Sequence, residues 1–164
     1  MKRLTIIIFT LVVATAVFAS SAAADQPTRT EFTNTFSSVL TGVCSFDIAV
    51  DSTVSGFQIE HVDTSGVLTR IFIYEVEQDT FTANGKTLVG IPFTNNIEVL
   101  FDSSGNLTNL FANGVFEKIP LPDGSLFVSV GRVDFFDHPG VGFLITPDEG
   151  NSGNVAGFCA ALAP

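Results

Sequence analysis

Basic residues are scarce in this chain. Seven Lys and Arg stand against seventeen Asp and Glu, which gives a formal net charge of −10. Proteins bind nucleic acid through basic side chains that neutralise phosphates, and anionic membranes attract proteins in the same way. We therefore expect neither nucleic acid nor a membrane among the partners of the mature chain. The negative charge favours solubility instead.

Polar aromatic residues are also nearly absent. The chain has no Trp and one Tyr, but seventeen Phe. Surfaces that bind carbohydrate usually offer Trp or Tyr rings, whose polar atoms work in water, so their scarcity counts against a sugar-binding surface. Phe packs into a core without needing a hydrogen-bond partner, and its abundance predicts a Phe-rich interior.

Only two cysteines are present, Cys44 and Cys159. The chain begins with Met1-Lys2-Arg3, continues with an apolar run over 4–19, and then offers small residues at Ala22-Ala23-Ala24. This order is typical of a secretory signal peptide, which we place at 1–24. Secretion would expose both thiols to an oxidising compartment, so the sequence predicts an extracellular protein with a Cys44–Cys159 disulfide.

The remaining chain predicts one domain. Residues 25–42 are polar and are expected to form a flexible N-terminal lead-in, followed by a single β-domain over 43–164. Cys44, Phe46, Ile48 and Val50 alternate with polar or small residues, which predicts a strand with these four on its buried face.

Turn residues separate further runs of strand-like composition. Asn84-Gly85 predicts a tight hairpin turn, and Gly114 predicts a bulge or bend. No segment shows a helical period with caps, and the total is about eight or nine strands. After the strand at Cys44, the runs are 57–62, 67–77, 80–82, 86–89, 93–101, 107–119, 126–136, 143–146 and 155–162.

This pattern predicts an all-β antiparallel meander. We favour a closed barrel over a sandwich, because closure removes the exposed strand edges that a secreted β-protein must otherwise protect. The disulfide would then join the first strand to the last. The pattern leaves open whether the interior of the barrel is filled or hollow, and it does not indicate an oligomeric state.

Four short segments carry a resemblance. They are Val43-Cys44, Asn84-Gly85-Lys86, Gly131-Arg132-Val133 and Phe158-Cys159-Ala160-Ala161-Leu162. Together they resemble a group of small, uncharacterised secreted proteins of actinobacteria and related bacteria, in which two cysteines bracket a β-domain. The likeness covers roughly 43–162 and departs from the usual pattern at Ser45, where these proteins often have Gly. It implies an exported β-domain and brings no catalytic residue or cofactor.

Candidate site residues cluster near one histidine. His138 with Asp134 or Asp137, and with Arg132 nearby, offers an acid–base or metal-binding group. Asp, Pro and Gly each favour a turn, so Asp137-His138-Pro139-Gly140 is also read simply as a turn, and we assign no metal and no catalytic residue. Arg70 and Arg132 lie within apolar strands, where each either faces an interior ligand or points outward.

Other patterns weigh against catalysis. No serine lies in a Gly-x-Ser-x-Gly motif, and a paired cysteine is no nucleophile. Glu75 and Glu77 share one face of a strand, and two close carboxyls can hydrolyse glycosides, but a solvated acidic face is the commoner arrangement. His61 is expected to be an exposed or half-buried strand residue.

The sequence therefore favours a non-catalytic exported β-barrel without a cofactor. Its Phe-rich interior would bind a small apolar or amphipathic molecule, or its surface would bind a cell-surface partner. The alternative is an extracellular enzyme of hydrolase or isomerase type, with a site near Asp134, Asp137 and His138. A cavity lined by Phe and aliphatic residues would favour the first hypothesis.

Overall fold

A computed structural model describes residues 27–136, 149–151 and 153–164. The elements form one antiparallel sheet of eight strands with the order β1-β2-β3-β5-β6-β7-β8, while β4 pairs with β3. One short helix follows. The elements are β1 Thr28–Leu40, β2 Ile48–Val62, β3 Leu68–Ala83, β4 Lys86–Val89, β5 Phe93–Phe101, β6 Leu107–Pro120, β7 Leu126–Asp134, β8 Glu149–Asn151 and α1 Val155–Leu162.

The predicted all-β antiparallel meander is confirmed, but the closed barrel is not supported. Within the described residues, β1 pairs only with β2, and β8 pairs only with β7, so the sheet has two ends. The early strand begins at Ile48 rather than at Cys44, and from there its expected period of two is confirmed, since Ile48 and Val50 are buried while Ala49 and Asp51 are exposed. The predicted Asn84-Gly85 turn is also confirmed, with positive φ angles of 51° and 75°.

The N-terminal segment differs from the expected flexible lead-in. Thr28–Leu40 forms β1 and pairs with β2 along its whole length, from Thr28 opposite Glu60 to Leu40 opposite Ile48. Its many Thr residues suit an extended backbone. Phe32 and Phe36 lie on the same face as Val54 of β2, which is the inner face of the sheet.

The last predicted strand is also wrong, because Val155–Leu162 is a helix. Val155, Phe158 and Leu162 are spaced by three and four residues, which places them on one side of a helix. Phe158 and Leu162 are fully buried, and the Phe158 ring contacts Phe81 and Phe127. The run at 143–146 lies outside the described residues, whereas the short β8 was not predicted.

The core fills one end of the curved sheet. Its buried side chains come from β1, β2, β3, β4, β6, β7 and α1, and they include Ile48, Phe81, Ile119, Phe127 and Phe158. The predicted Cys44–Cys159 disulfide is confirmed and lies against this core, with Cα atoms 5.5 Å apart. It joins the segment before β2 to α1, and the prediction that it joins the first strand to the last is wrong. No helix within the described ranges is long and apolar enough to cross a membrane.

Asn154 caps the N-terminus of α1, and its substitution tests how much this cap contributes to stability. Its side-chain Oδ1 accepts a hydrogen bond from the Gly157 backbone N at 2.9 Å. We expect Asn154→Ala to lower the free energy of unfolding by about 1 kcal/mol, because the first turn of α1 loses this acceptor. Guanidinium chloride denaturation measures the change, with Asn113→Ala at an exposed position of β6 as control. Equal effects of the two substitutions would contradict a capping role.

Candidate functional site

The inner face of the sheet borders a half-open cavity of about 610 Å³. Residues from β1, β2, β3, β5 and β6 line it together with Phe135, so the sheet curves around it although β1 and β8 do not pair with each other within the described residues. Most of the lining is apolar. Six of the apolar lining residues are Phe32, Val54, Ile73, Ile97, Ala112 and Phe116.

A row of paired residues crosses the sheet at the level of Glu75 and Asn95. Directly opposed residues run across seven strands at this level, and four of the seven are glycines. Successive pairs are in register on the inner face. The row is Phe32, Gly56, Glu75, Asn95, Gly114, Gly131 and Gly150. Phe32, Glu75 and Asn95 of this glycine row line the cavity.

Two of these glycines are also required by close backbone contact. A Cβ atom on Gly56 would lie 2.0 Å from the Tyr74 carbonyl oxygen. Gly114 has a φ of 135°, and a Cβ there would lie 2.9 Å from the Asn95 Cα. Larger residues at either position would strain the strand pairing.

Acidic side chains lie at the inner end of the cavity, between it and the apolar core. Glu75 and Glu77 line the cavity, and Glu77 is only 4% exposed. The next inward residue on β3, Asp79, is fully buried, as is Glu117 on β6. The interpretation of Glu75 and Glu77 as a solvated face is therefore wrong for Glu77.

Glu117 reaches the interior because of a β-bulge. Val115 pairs with Val130 and Glu117 pairs with Ser129, so Phe116 is the extra residue on β6. A bulge reverses which side alternate residues face, and here it turns both Phe116 and Glu117 inward. Both are buried, at 1% and 0% exposure. The expected irregularity near Gly114 is thus confirmed, but its consequence for Glu117 was missed.

Burial changes the proton affinity of this group of carboxyls. Burial, with the negative charges of Asp79 and Glu75, raises the pKa of Glu77 to about 8. Burial and the neighbouring Asp79 carboxyl raise the pKa of Glu117 well above its usual range. Burial also raises the pKa of Glu75, although a hydrogen bond from Asn95 opposes this. Glu77 therefore holds a proton at neutral pH, and the raised pKa of Glu117 favours its protonated form as well.

A proton on one carboxyl also explains how the buried carboxyls of Asp79 and Glu117 can form a hydrogen bond. No described donor group reaches the carboxyl oxygens of Asp79 or Glu117. The two carboxyls are close enough to hydrogen-bond when one of them is protonated. In the part of the chain that the structure describes, no three His, Cys, Asp or Glu side chains are placed to hold a metal ion.

The candidates named from the sequence lie elsewhere. Arg132 is on the outer face, 4.4 Å from the Phe111 ring centroid and 3.8 Å from Asp134 Oδ2. Arg70 also points outward and forms an ion pair with Glu98. None of these residues lines the cavity. Asp137 and His138 lie outside the described residues, so the site expected around them stays a prediction.

His61 is half-buried on β2, as expected, and pairs with Arg70. The sequence analysis placed Arg132 and Asp134 in one candidate site, and the structure brings them close together on the outer face of the sheet. The interior group of Glu77, Asp79 and Glu117 was missed. The one feature of the sequence that could have revealed this group is the period of two along β3, which places Glu75, Glu77 and Asp79 on the same face of the strand as Phe81.

Comparisons of the chain with protein-family models, curated proteins and solved structures give no match.

Proposed function

We propose that this is an exported binding protein that holds a small molecule with an apolar body in the cavity. The observation that carries the proposal is the cavity of about 610 Å³, whose lining is mainly apolar and includes the polar side chains of Thr30, Asn34, Gln58, Glu75, Glu77 and Asn95. Small-molecule sites typically have volumes of about 300–1,000 Å³ and this kind of lining. The lining supports the proposal, because five neighbouring strands and Phe135 contribute apolar side chains or carboxyl and amide groups to one space.

Export is part of the same proposal. It is supported by the basic and apolar start of the chain and by a disulfide, which would not persist in the reducing environment of the cytosol. Surface binding to a cell-surface partner and an enzyme site near Asp134, Asp137 and His138 stay alternative hypotheses. Neither uses the cavity.

The neutral apolar fluorophore N-phenyl-1-naphthylamine tests the binding proposal. We expect a saturable rise in its fluorescence with one molecule bound per chain. Leu110→Trp should weaken this binding by at least about tenfold, because the indole ring would occupy space in a cavity of limited volume. Leu110 is only half-buried, so the larger side chain should be tolerated by the fold.

A matched substitution separates filling of the cavity from general effects of Trp. Leu126 is 47% exposed at the start of β7 and does not line the cavity. Leu126→Trp should leave the affinity for the fluorophore unchanged. Ala112→Trp, which adds volume at a second lining position, should reproduce the loss. Undiminished binding by both cavity variants, with circular dichroism confirming that each is folded, would overturn the proposal.

A further inference from the structure

An unpaired amide oxygen lies at the polar end of the cavity. Asn95 lines the cavity on β5 and is 3% exposed, and its Oδ1 has no hydrogen-bond donor among the described groups. Buried amide oxygens in folded proteins nearly always accept a hydrogen bond. Its position beside an empty space indicates that a bound molecule brings the missing donor.

The groups around Asn95 define the charge of that donor. Glu75 stands directly opposite Asn95 on β3, and Glu77 lines the same end of the cavity. Among the described residues that line the cavity, none is Lys, Arg or His. A carboxylate or phosphate ligand would therefore meet no cationic side chain there and would lie beside two carboxyl groups, whereas a cationic nitrogen would meet acceptor oxygens on three side chains.

We infer that the cavity binds a small amphipathic amine, with its ammonium group between Asn95 Oδ1 and the carboxyls of Glu75 and Glu77. This inference rests on the proposed function and adds the class of ligand to it. The apolar body of the amine would lie against the apolar level next to the glycine row, where Ile73, Ile97 and Ala112 are paired across β3, β5 and β6. An ammonium offers three N–H donors, and charge-assisted hydrogen bonds are stronger than neutral ones.

Binding of an ammonium is coupled to release of a proton. Near neutral pH the Glu77 carboxyl holds a proton in the empty cavity, since its pKa is raised to about 8. The amine enters with its own proton, and the Glu77 proton leaves to solvent as the carboxylate pairs with the ammonium. No covalent bond changes. The other groups that face Glu77 are Glu75 and Asp79 on β3, Glu117 on β6 and Ser52 on β2.

Three ligands with the same chain and different heads test the inference. Octylamine, octan-1-ol and octanoate are titrated calorimetrically at pH 7, in two buffers that differ in ionisation enthalpy. We expect octylamine to bind at least about tenfold more tightly than octan-1-ol, because only the ammonium forms charge-assisted bonds. It should release close to one proton, octan-1-ol should release none, and octanoate should bind most weakly.

Substitution of the acidic group assigns the effect to Glu77. Glu77→Gln keeps the size of the side chain and should weaken octylamine binding by about tenfold or more while abolishing proton release. The ratio of its affinities for octylamine and octan-1-ol should fall by about the same factor. Glu31→Gln, an exposed carboxyl on the outer face of β1, is the control and should behave as the parent protein. Glu75→Gln provides a second test if Glu77→Gln does not fold.

The outcomes separate this inference from the proposed function. If octan-1-ol binds as tightly as octylamine, or if octylamine binds without releasing a proton, the amine assignment is overturned and the apolar cavity stays a binding site. Tighter binding of octanoate also overturns it. If neither octylamine nor octan-1-ol binds, and the fluorophore does not bind either, the proposed function fails together with the inference.

Discussion

The free energy of unfolding is expected to fall steeply as the pH rises from about 5 to about 8. In the folded state burial raises the pKa of Glu77 to about 8, and the pKa of Glu117 is also raised well above its usual range. In the unfolded chain both carboxyls are solvated and ionise near their ordinary value. Over this window the folded protein therefore binds more protons than the unfolded chain.

The sign and size of the effect follow from proton linkage. Each proton that the folded state retains and the unfolded state has lost removes about 1.4 kcal/mol of stability per unit rise in pH. The stability contribution is complete below the unfolded pKa and is lost as the pH rises to the folded pKa. Guanidinium chloride denaturation at pH 5, 6, 7 and 8 measures this slope.

Single substitutions assign the slope to the buried carboxyls. Glu77→Gln and Glu117→Gln each remove one ionisable group from the interior, so each should flatten the pH dependence and raise the stability at pH 8 relative to the parent. Glu31→Gln is exposed in both states and should leave the slope unchanged. A free energy of unfolding that does not vary between pH 5 and pH 8 would mean that these carboxyls are hydrated or paired differently.

Removal of the disulfide is expected to produce the second large effect. Cys44 and Cys159 are separated by 115 residues, so their bond constrains almost the whole described chain when it unfolds. The chain-entropy model assigns a loop of this length roughly 4–5 kcal/mol. The Cys44→Ala/Cys159→Ala double variant should lose stability on this scale, measured by its denaturation midpoint in guanidinium chloride.

Reduction provides an independent control for the same bond. The parent protein with dithiothreitol should match the double variant, and dithiothreitol should not affect the double variant itself. Cys159 lies in α1, next to the core residue Phe158. Without the disulfide, α1 is expected to be the first element to lose protection from hydrogen exchange. A loss below about 1 kcal/mol would show that α1 is held by packing alone.

Local sequence patterns predicted much of the sheet. The alternation at Ile48 and Val50, the Asn-Gly turn at 84–85 and the strand over 93–101 depend on neighbouring residues, and each is present as predicted. By contrast, β1 was not predicted, because most of its residues are polar and it forms a strand only by pairing with β2. In α1 the apolar composition suggested a strand, although the spacing of its buried residues is helical.

Much less of the candidate site could be predicted from the sequence. Glu75, Glu77 and Asp79 follow a period of two, but the sequence cannot say whether that face meets solvent or an enclosed space. The orientation of Glu117 depends on the bulge at Phe116, and a shift of one residue there would turn its carboxyl outward. The row that contains Gly56, Gly114 and Gly131 likewise exists only because the register aligns these distant glycines.

The sequence by itself determined the acidic character, the antiparallel β class, the main turns and the pairing of its two cysteines. These properties follow from composition and from patterns a few residues long. The tertiary structure alone decided that the sheet of the described residues curves around a cavity without closing, and that carboxyl groups lie at the inner end of its mainly apolar lining. The physical reason is that burial and pKa depend on which strands face one another, and that is set by long-range register and packing rather than by neighbours in the chain.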